Sequence, residues 1–432
     1  MNINSNNKTA ISIIAGLFFI FGFITWVNGA LIPFMKTINE LTEAQSFLVA
    51  SASYISFVVM ALPASYLLKR VGYKMGMSFG LFIMAIGAIV FIPAAEARTY
   101  WMFLMGIFIQ GTGMTILQTA SNPYITILGP IESGAQRIAI MGIANKVAGA
   151  LGSLIFGALL LKGIDDVNAQ LASISADEKT ALLDQMADSV FIPYVVMAVV
   201  LFVLGLLIRK APLPDVEITI DSNVQSHRGS QKTIFKYPHL WLGMLTLFVY
   251  VGAEVIAGDS IIAYGISLGI SASTAKFFTT LTLMAMVATY AIGIVLIPKY
   301  INQQKALQIS ALLGIVFSIL ILVTDGFISV LFVASLGIAN ALVWPAVWPL
   351  TLVGLGKHTK TASALLIMAV AGGAVIPPLY GRLVDQGEKT LIQSGLSSSD
   401  ALAISAQESY YILIPCYLII YIFAVFAKRL RN

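Results

Sequence analysis

The chain has 432 residues, of which 58% are hydrophobic and only 10% are Asp, Glu, Lys or Arg. A soluble chain of this length would carry roughly a quarter charged residues, so this share, with a mean hydropathy of +0.90, makes lipid the expected solvent. One cysteine, Cys416, excludes an internal disulfide or a multi-cysteine metal centre, and three histidines leave little for metal or relay chemistry. A net charge of +5 is what basic cytoplasmic loops give a membrane protein, so nucleic acid is not an expected partner.

Ala10 to Met35 holds no charged residue, too long for the core of a signal peptide and long enough to cross a bilayer. Further apolar runs follow at 46–68, 74–94, 100–128, 137–161 and 190–209. The polar stretch 211–238 then reads as a linker. Six more runs lie at 239–266, 273–297, 304–324, 327–353, 361–384 and 408–428. Only helices or closed barrels satisfy their backbone groups in hydrocarbon, and long unbroken apolar runs select helices. The acidic, helix-prone segment from Lys162 to Ser189 reads as a solvated hairpin between spans five and six.

Orientation follows the basic residues. With the N-terminus inside, most of the 25 Lys and Arg fall on the cytoplasmic side, among them Lys69, Arg70, Lys74, Arg137, Arg209, Lys210, Lys299 and Lys305. Both termini are then cytoplasmic. A weak repeat relates the halves. Asn122-Pro123 and Trp348-Pro349 lie 226 residues apart, as do Asn28 and Glu254, and Ile140-Met141 matches Ile367-Met368 at 227. The expected fold is an all-α membrane protein of twelve transmembrane helices. Two six-helix halves, 1–210 and 239–432, flank the linker, the architecture of a major facilitator transporter with its binding site near the midplane between the halves.

Ionisable residues at membrane depth cost at least about 2.5 to 3.5 kcal/mol on insertion scales and need a reason to be there. Lys146 in "IMGIANKVAGALG" and Glu254 in "LFVYVGAEVIAGDS" lie deep in spans five and seven. They are candidates for ion coupling, or for a pair that only holds helices together. Asp259, five residues on, points about 140° away on a regular helix and reads equally well as a solvated vestibule residue. Gln118 and Asn122 in "ILQTASNPY" share one face of span four. Their amides suit sugar hydroxyls, or bonds between helices. Asn28, beside Gly29, and Asn145, beside Lys146, are similar candidates.

Trp344 and Trp348 in "NALVWPAVWP" stand four apart, with Asn340 one turn earlier on the same stripe. Trp348 fits an interface anchor; the deeper Trp344 offers a stacking face for a pyranose, and Trp26 is a parallel case in span one. Pro345 and Pro349 should loosen this helix. No P-loop, GxSxG, HExxH or CxxC occurs, so neither an ATP-driven pump nor an enzyme is indicated.

The run "ILQTASNPYITILGPIESGAQRIAIMGIANKVAG", with "YVGAEV", "ALVWPAVWP" and "GGAVIPPLYGRLVD", resembles the fucose/galactose/glucose symporter family of the major facilitator superfamily, in its glucose/galactose transporter branch. The likeness runs in order across essentially the whole chain, and "LLKRVGYKMG" stands where the superfamily has its basic loop motif. The resemblance implies cation-coupled uptake of a monosaccharide across the bacterial inner membrane. One departure stands out. The two carboxylates that carry the proton in the fucose type correspond here to Gly29 and Gln118, neither of which titrates. Asn145 keeps the family's amide, Glu254 replaces another amide, and Trp344 takes the place of an aromatic residue.

The sequence therefore reads as a symporter of a neutral hexose or N-acetylhexosamine, without a cofactor, acting as a monomer in the bilayer. Sugar contacts are expected from Asn28, Gln118, Asn122, Asn145 and Trp344, with Trp26 and Asn340 in support. Glu254 is the expected coupling residue, with Lys146 as partner or competitor and Asp259 in reserve. The coupled ion is sodium or a proton, and the missing carboxylates tilt the expectation to sodium. A uniporter, an exporter of the same fold and a non-transporting sugar sensor are the alternatives.

Overall fold

The computed structural model describes residues 5–127, 134–162, 164, 167, 170, 175–213, 234–297, 299–355 and 359–427. Residues 214–233, most of the expected linker, lie outside the described residues.

Among the described residues, eleven helices are long and apolar enough to cross a membrane. One of them, Leu48–Glu96, is two spans joined across Gly72, where φ of 77° and ψ of 168° break the helix. Only glycine takes that conformation without strain, so the turn falls between the basic residues Arg70 and Lys74. Counting both arms gives the twelve spans expected. Their outward faces are apolar, as Ile192, Val196, Val199 and Leu207 on span six illustrate. These side chains face lipid, which is why the chain needs so few charges.

Of the expected hairpin, residues 163, 165, 166, 168, 169 and 171–174 lie outside the described residues. Ala176–Asp188 forms one helix with a capping box from Ser175 and Glu178. It buries Leu183 and Ala187 against the ends of neighbouring spans, where Arg98 pairs with Asp184 at 3.1 Å and Lys179 pairs with Glu40. Its apolar residues sit at helical spacing, so docking was available to it as soon as the neighbouring loops came near.

Helix packing follows the sequence repeat. Spans one and five approach so closely at Gly22 that a Cβ there would lie 1.8 Å from the Asn145 carbonyl oxygen. Spans seven and eleven do the same at Gly372, 1.7 Å from the Phe248 oxygen. Positions 22 and 248 are 226 residues apart, and 145 and 372 are 227 apart. The same contact is thus made in each half, with the glycine on the opposite partner. Close backbone approach through small residues is the usual adhesive between membrane helices, where water gives no hydrophobic drive.

Several spans are irregular at middle depth. Span one breaks at Val27, between Ser5–Trp26 and Asn28–Ile38. Span seven contains a π-helical turn, Ile256–Ser260. Span ten breaks at Leu342, between Gly326–Ala341 and Val343–Leu352. The last break has a plain cause, because a proline at 345 cannot donate to the carbonyl of Ala341 and crowds it. Irregular backbone at membrane depth survives only where protein or a cavity covers it. These breaks therefore mark the interior around which the spans are arranged.

Candidate functional site

Lys146 Nζ lies 2.8 Å from Glu254 Oε1, with side-chain exposures of 9% and 14%. The pair joins span five of the first half to span seven of the second. The same ammonium sits 4.2 Å from the ring centroid of Trp26 on span one, close enough for a desolvated cation–π contact worth about 2 kcal/mol. Trp26 is only 3% exposed and fits because two glycines make room. A Cβ at Gly149 would come within 2.3 Å of the indole, and one at Gly258 within 2.1 Å. The ring is thus held edge and face, with Lys146 over it.

Four tyrosines, Tyr54, Tyr250, Tyr290 and Tyr417, lie in electrostatic range of the Glu254 carboxylate. Sequence inspection singled out none of them. One signal was available, since Tyr250 stands four residues before Glu254 on the same helical face. The other three come from spans two, eight and twelve, which only the tertiary fold brings to span seven.

Asp259 departs from its expected position. It is 1% exposed, not solvated in an outer vestibule, and its Oδ1 has no hydrogen-bond partner. The π-helical turn is the reason. Its i→i+5 bonding inserts an extra residue into the turn, so the five-residue step from Glu254 no longer carries Asp259 to the far side. Both carboxyl groups and Lys146 interact electrostatically. The turn itself is tied to span eight, where Thr279 Oγ1 donates to the Gly258 carbonyl at 2.7 Å and Thr282 Oγ1 to that of Ala257 at 3.3 Å.

The remaining candidates divide. Gln118 is half-buried on span four and forms no hydrogen bond among the described residues. Asn122 lies on the same helix, and its side chain is outside the described residues. Asn145 Nδ2 donates to the Phe18 carbonyl at 3.3 Å, which ties span five to span one. Asn28 is buried and lines a narrow cavity inside the first half with Ser53, Gln110 and Tyr194, a space that holds little more than water. Trp344 and Trp348 are half-buried and stack on each other, centroids 5.4 Å apart and planes 26° apart. Asn340 has a partner of its own. It is fully buried against span twelve, where its Oδ1 accepts from Tyr417 at 2.9 Å.

One end of the molecule is sealed across the two halves. Asp385 on span eleven accepts from the backbone N–H groups of Glu43 and Ala44 at 2.9 and 3.0 Å. Lys36 pairs with Glu43, Ser51 Oγ donates to the Ala374 carbonyl at 2.6 Å, and Phe47 meets Tyr380 edge to face.

The family profile described as Major Facilitator Superfamily matches residues 14–392. A glucose/galactose transporter of Brucella abortus biovar 1 is 35% identical over 387 residues, covering 88% of this chain and 89% of that protein. An L-fucose-proton symporter of Escherichia coli is 28% identical over 380 residues, covering 87% and 86%. Among solved structures, a Major Facilitator Superfamily transporter, FucP, in the outward conformation superposes with a TM-score of 0.71 at 26% identity, covering 98% of this chain and 99% of that one.

Proposed function

The chain belongs to the major facilitator superfamily, and on that premise we propose that it imports a neutral hexose or N-acetylhexosamine, coupled to entry of a cation. It is a multi-pass membrane transporter and not an enzyme. The observation that carries the coupling is the Lys146–Glu254 pair, a buried ion pair whose two members belong to different halves. In alternating access the halves rock about a central site. A pair that spans them must be strained or exchanged in each cycle, and its charge balance then governs which movements are allowed. The relatives named for glucose, galactose and L-fucose support a monosaccharide as the cargo.

In this reading Gln118 offers its amide to sugar hydroxyls, Trp344 backed by Trp348 gives the ring a stacking face, and Asn145 and Asn122 flank them. Asn28, Trp26 and Asn340 support the walls. The positive-inside distribution places both termini and the linker in the cytoplasm of a bacterial inner membrane. The Asp385 seal then lies on the outer side, and this arrangement is closed to the outside. A single chain carries both halves and acts as a monomer.

The test is uptake of labelled D-glucose, D-galactose, L-fucose and N-acetylglucosamine into proteoliposomes with an imposed proton or sodium gradient. Accumulation above equilibrium supports symport. Equilibration without accumulation under either gradient would favour the uniporter, with Lys146 and Glu254 a permanent structural pair.

A further inference from the structure

We propose that Asp259 is the group on which the coupled cation, a proton, is carried, and that Lys146 exchanges between Glu254 and Asp259 as that proton comes and goes. This rests on the symport reading above and adds to it the identity of the ion and of its carrier.

Lys146 pairs with Glu254, and Asp259 lies in electrostatic range of both. The ammonium is engaged by Glu254 at 2.8 Å, while Asp259, 1% exposed, keeps an Oδ1 with no partner. An ionised carboxylate left so is very costly, and such a group takes up a proton instead. In the proposed cycle this is the arrangement in which Asp259 holds the proton. Its other titratable neighbour is Tyr54 on span two. Spans one, eight, ten and eleven also pack on the π-helical turn, and among the described residues no charged group on them reaches Asp259.

A sodium ion needs a cage of oxygens, and this turn offers a poor one. The carbonyls of Ile256, Ala257 and Gly258 already accept from Ser260, Thr282 and Thr279. A proton needs only the one free oxygen.

The cycle balances as follows. From the outer side a hydronium ion gives its proton to an Asp259 carboxylate oxygen, forming O–H and leaving water. Lys146 is then released to Glu254, as found here. On the inner side the O–H bond breaks, a water molecule takes the proton, and the new carboxylate draws Lys146 from Glu254. Glu254 then keeps Tyr54, Tyr250, Tyr290 and Tyr417 in electrostatic range. The π-helical turn matters because it keeps the second carboxyl on the side of the helix where Lys146 acts on it electrostatically.

Trp26 provides a built-in reporter, because Lys146 lies over its ring. A variant with Trp101, Trp241, Trp344 and Trp348 each changed to Phe keeps Trp26 alone, and its fluorescence should change with pH as Lys146 leaves the indole. Asp259→Asn, which keeps the side-chain shape, should remove that change. A flat titration in the Trp26-only protein, or one that persists with Asp259→Asn, would overturn the proposal whether or not any sugar is carried.

The transport arm uses proteoliposomes holding a pH-sensitive dye, with D-galactose, D-glucose or L-fucose added outside. Sugar should evoke proton entry in the wild type, lost to background in Asp259→Asn, with labelled sugar still exchanging at a reduced rate. Undiminished sugar-evoked proton entry in Asp259→Asn, or wild-type accumulation driven by a sodium gradient alone, would refute it. Failure of the wild type to move any sugar counts against the sugar reading, and the fluorescence titration then decides Asp259 separately.

Discussion

Removing either member of the Lys146–Glu254 pair should destabilise the protein unequally, and removing both should recover much of the loss. At 2.8 Å and an effective dielectric of about 20, the bare attraction is about 6 kcal/mol. Desolvation of both groups offsets most of this, so the intact pair stabilises little compared with apolar isosteres. Breaking it from one side is different, because the survivor stays buried; such losses run to about 3 to 5 kcal/mol. The survivors are not equivalent here. Glu254→Gln leaves Lys146 over the Trp26 ring with Asp259 free to ionise nearby, whereas Lys146→Met leaves the Glu254 carboxylate with no cation and a second carboxyl group close by. Lys146→Met should therefore be the worse single change, and the double variant should be more stable than additivity predicts by about 2 to 3 kcal/mol. Unfolding in mixed micelles with a rising fraction of denaturing detergent measures all four proteins. Strict additivity would show that the two groups do not interact in the membrane-embedded fold, and the coupling argument would fall with it. Accumulation of sugar by the double variant at the wild-type level would leave the pair a purely structural role.

Three further outcomes are expected. Trp344→Ala should raise the apparent KM for sugar or abolish uptake, while Trp344→Phe keeps part of it, because stacking needs a ring face more than an indole N–H; normal transport by the alanine variant at equal expression would make Trp344 only an anchor. Gln118→Ala should weaken sugar binding by about 1 to 3 kcal/mol, the cost of leaving hydroxyls unpaired, as read by calorimetry; retained binding with lowered stability would place the amide between helices instead. Asp385→Asn removes the charge from two bonds to backbone N–H groups, each worth about 1.5 to 3 kcal/mol when charge-assisted, so cysteines placed on the sealed end should become labelled faster by a membrane-impermeant reagent. Unchanged labelling would show that this seal does not hold that end closed.

Much of the fold was legible because hydrocarbon imposes one rule along the whole chain. Every span must satisfy its own backbone, so length and apolarity mark the twelve helices, and even the joined Leu48–Glu96 parts at Gly72 between basic residues. The repeat was visible as scattered matches 226 to 227 residues apart, and the equivalent contacts at Gly22 and Gly372 give it a physical meaning. Lys146 and Glu254 stood out for the same reason, since buried charge is expensive enough to be conspicuous in sequence.

Local pattern could not supply the partners. That Lys146 meets Glu254, 108 residues away, follows from which helices pack together. Trp26 reads in sequence as a free aromatic face, yet packing against Gly149 and Gly258 puts Lys146 on it. A regular 100° per residue put Asn340 beside Trp344 and Asp259 opposite Glu254. The first is engaged by Tyr417 of span twelve instead, and the π-helical turn at Ile256–Ser260 undid the second. Periodicity assumes an unbroken helix, and these helices break where neighbouring spans can cover the freed backbone. Hydrophobicity thus settled where the chain crosses the membrane, and the packing of one span against another settled which charges meet inside it.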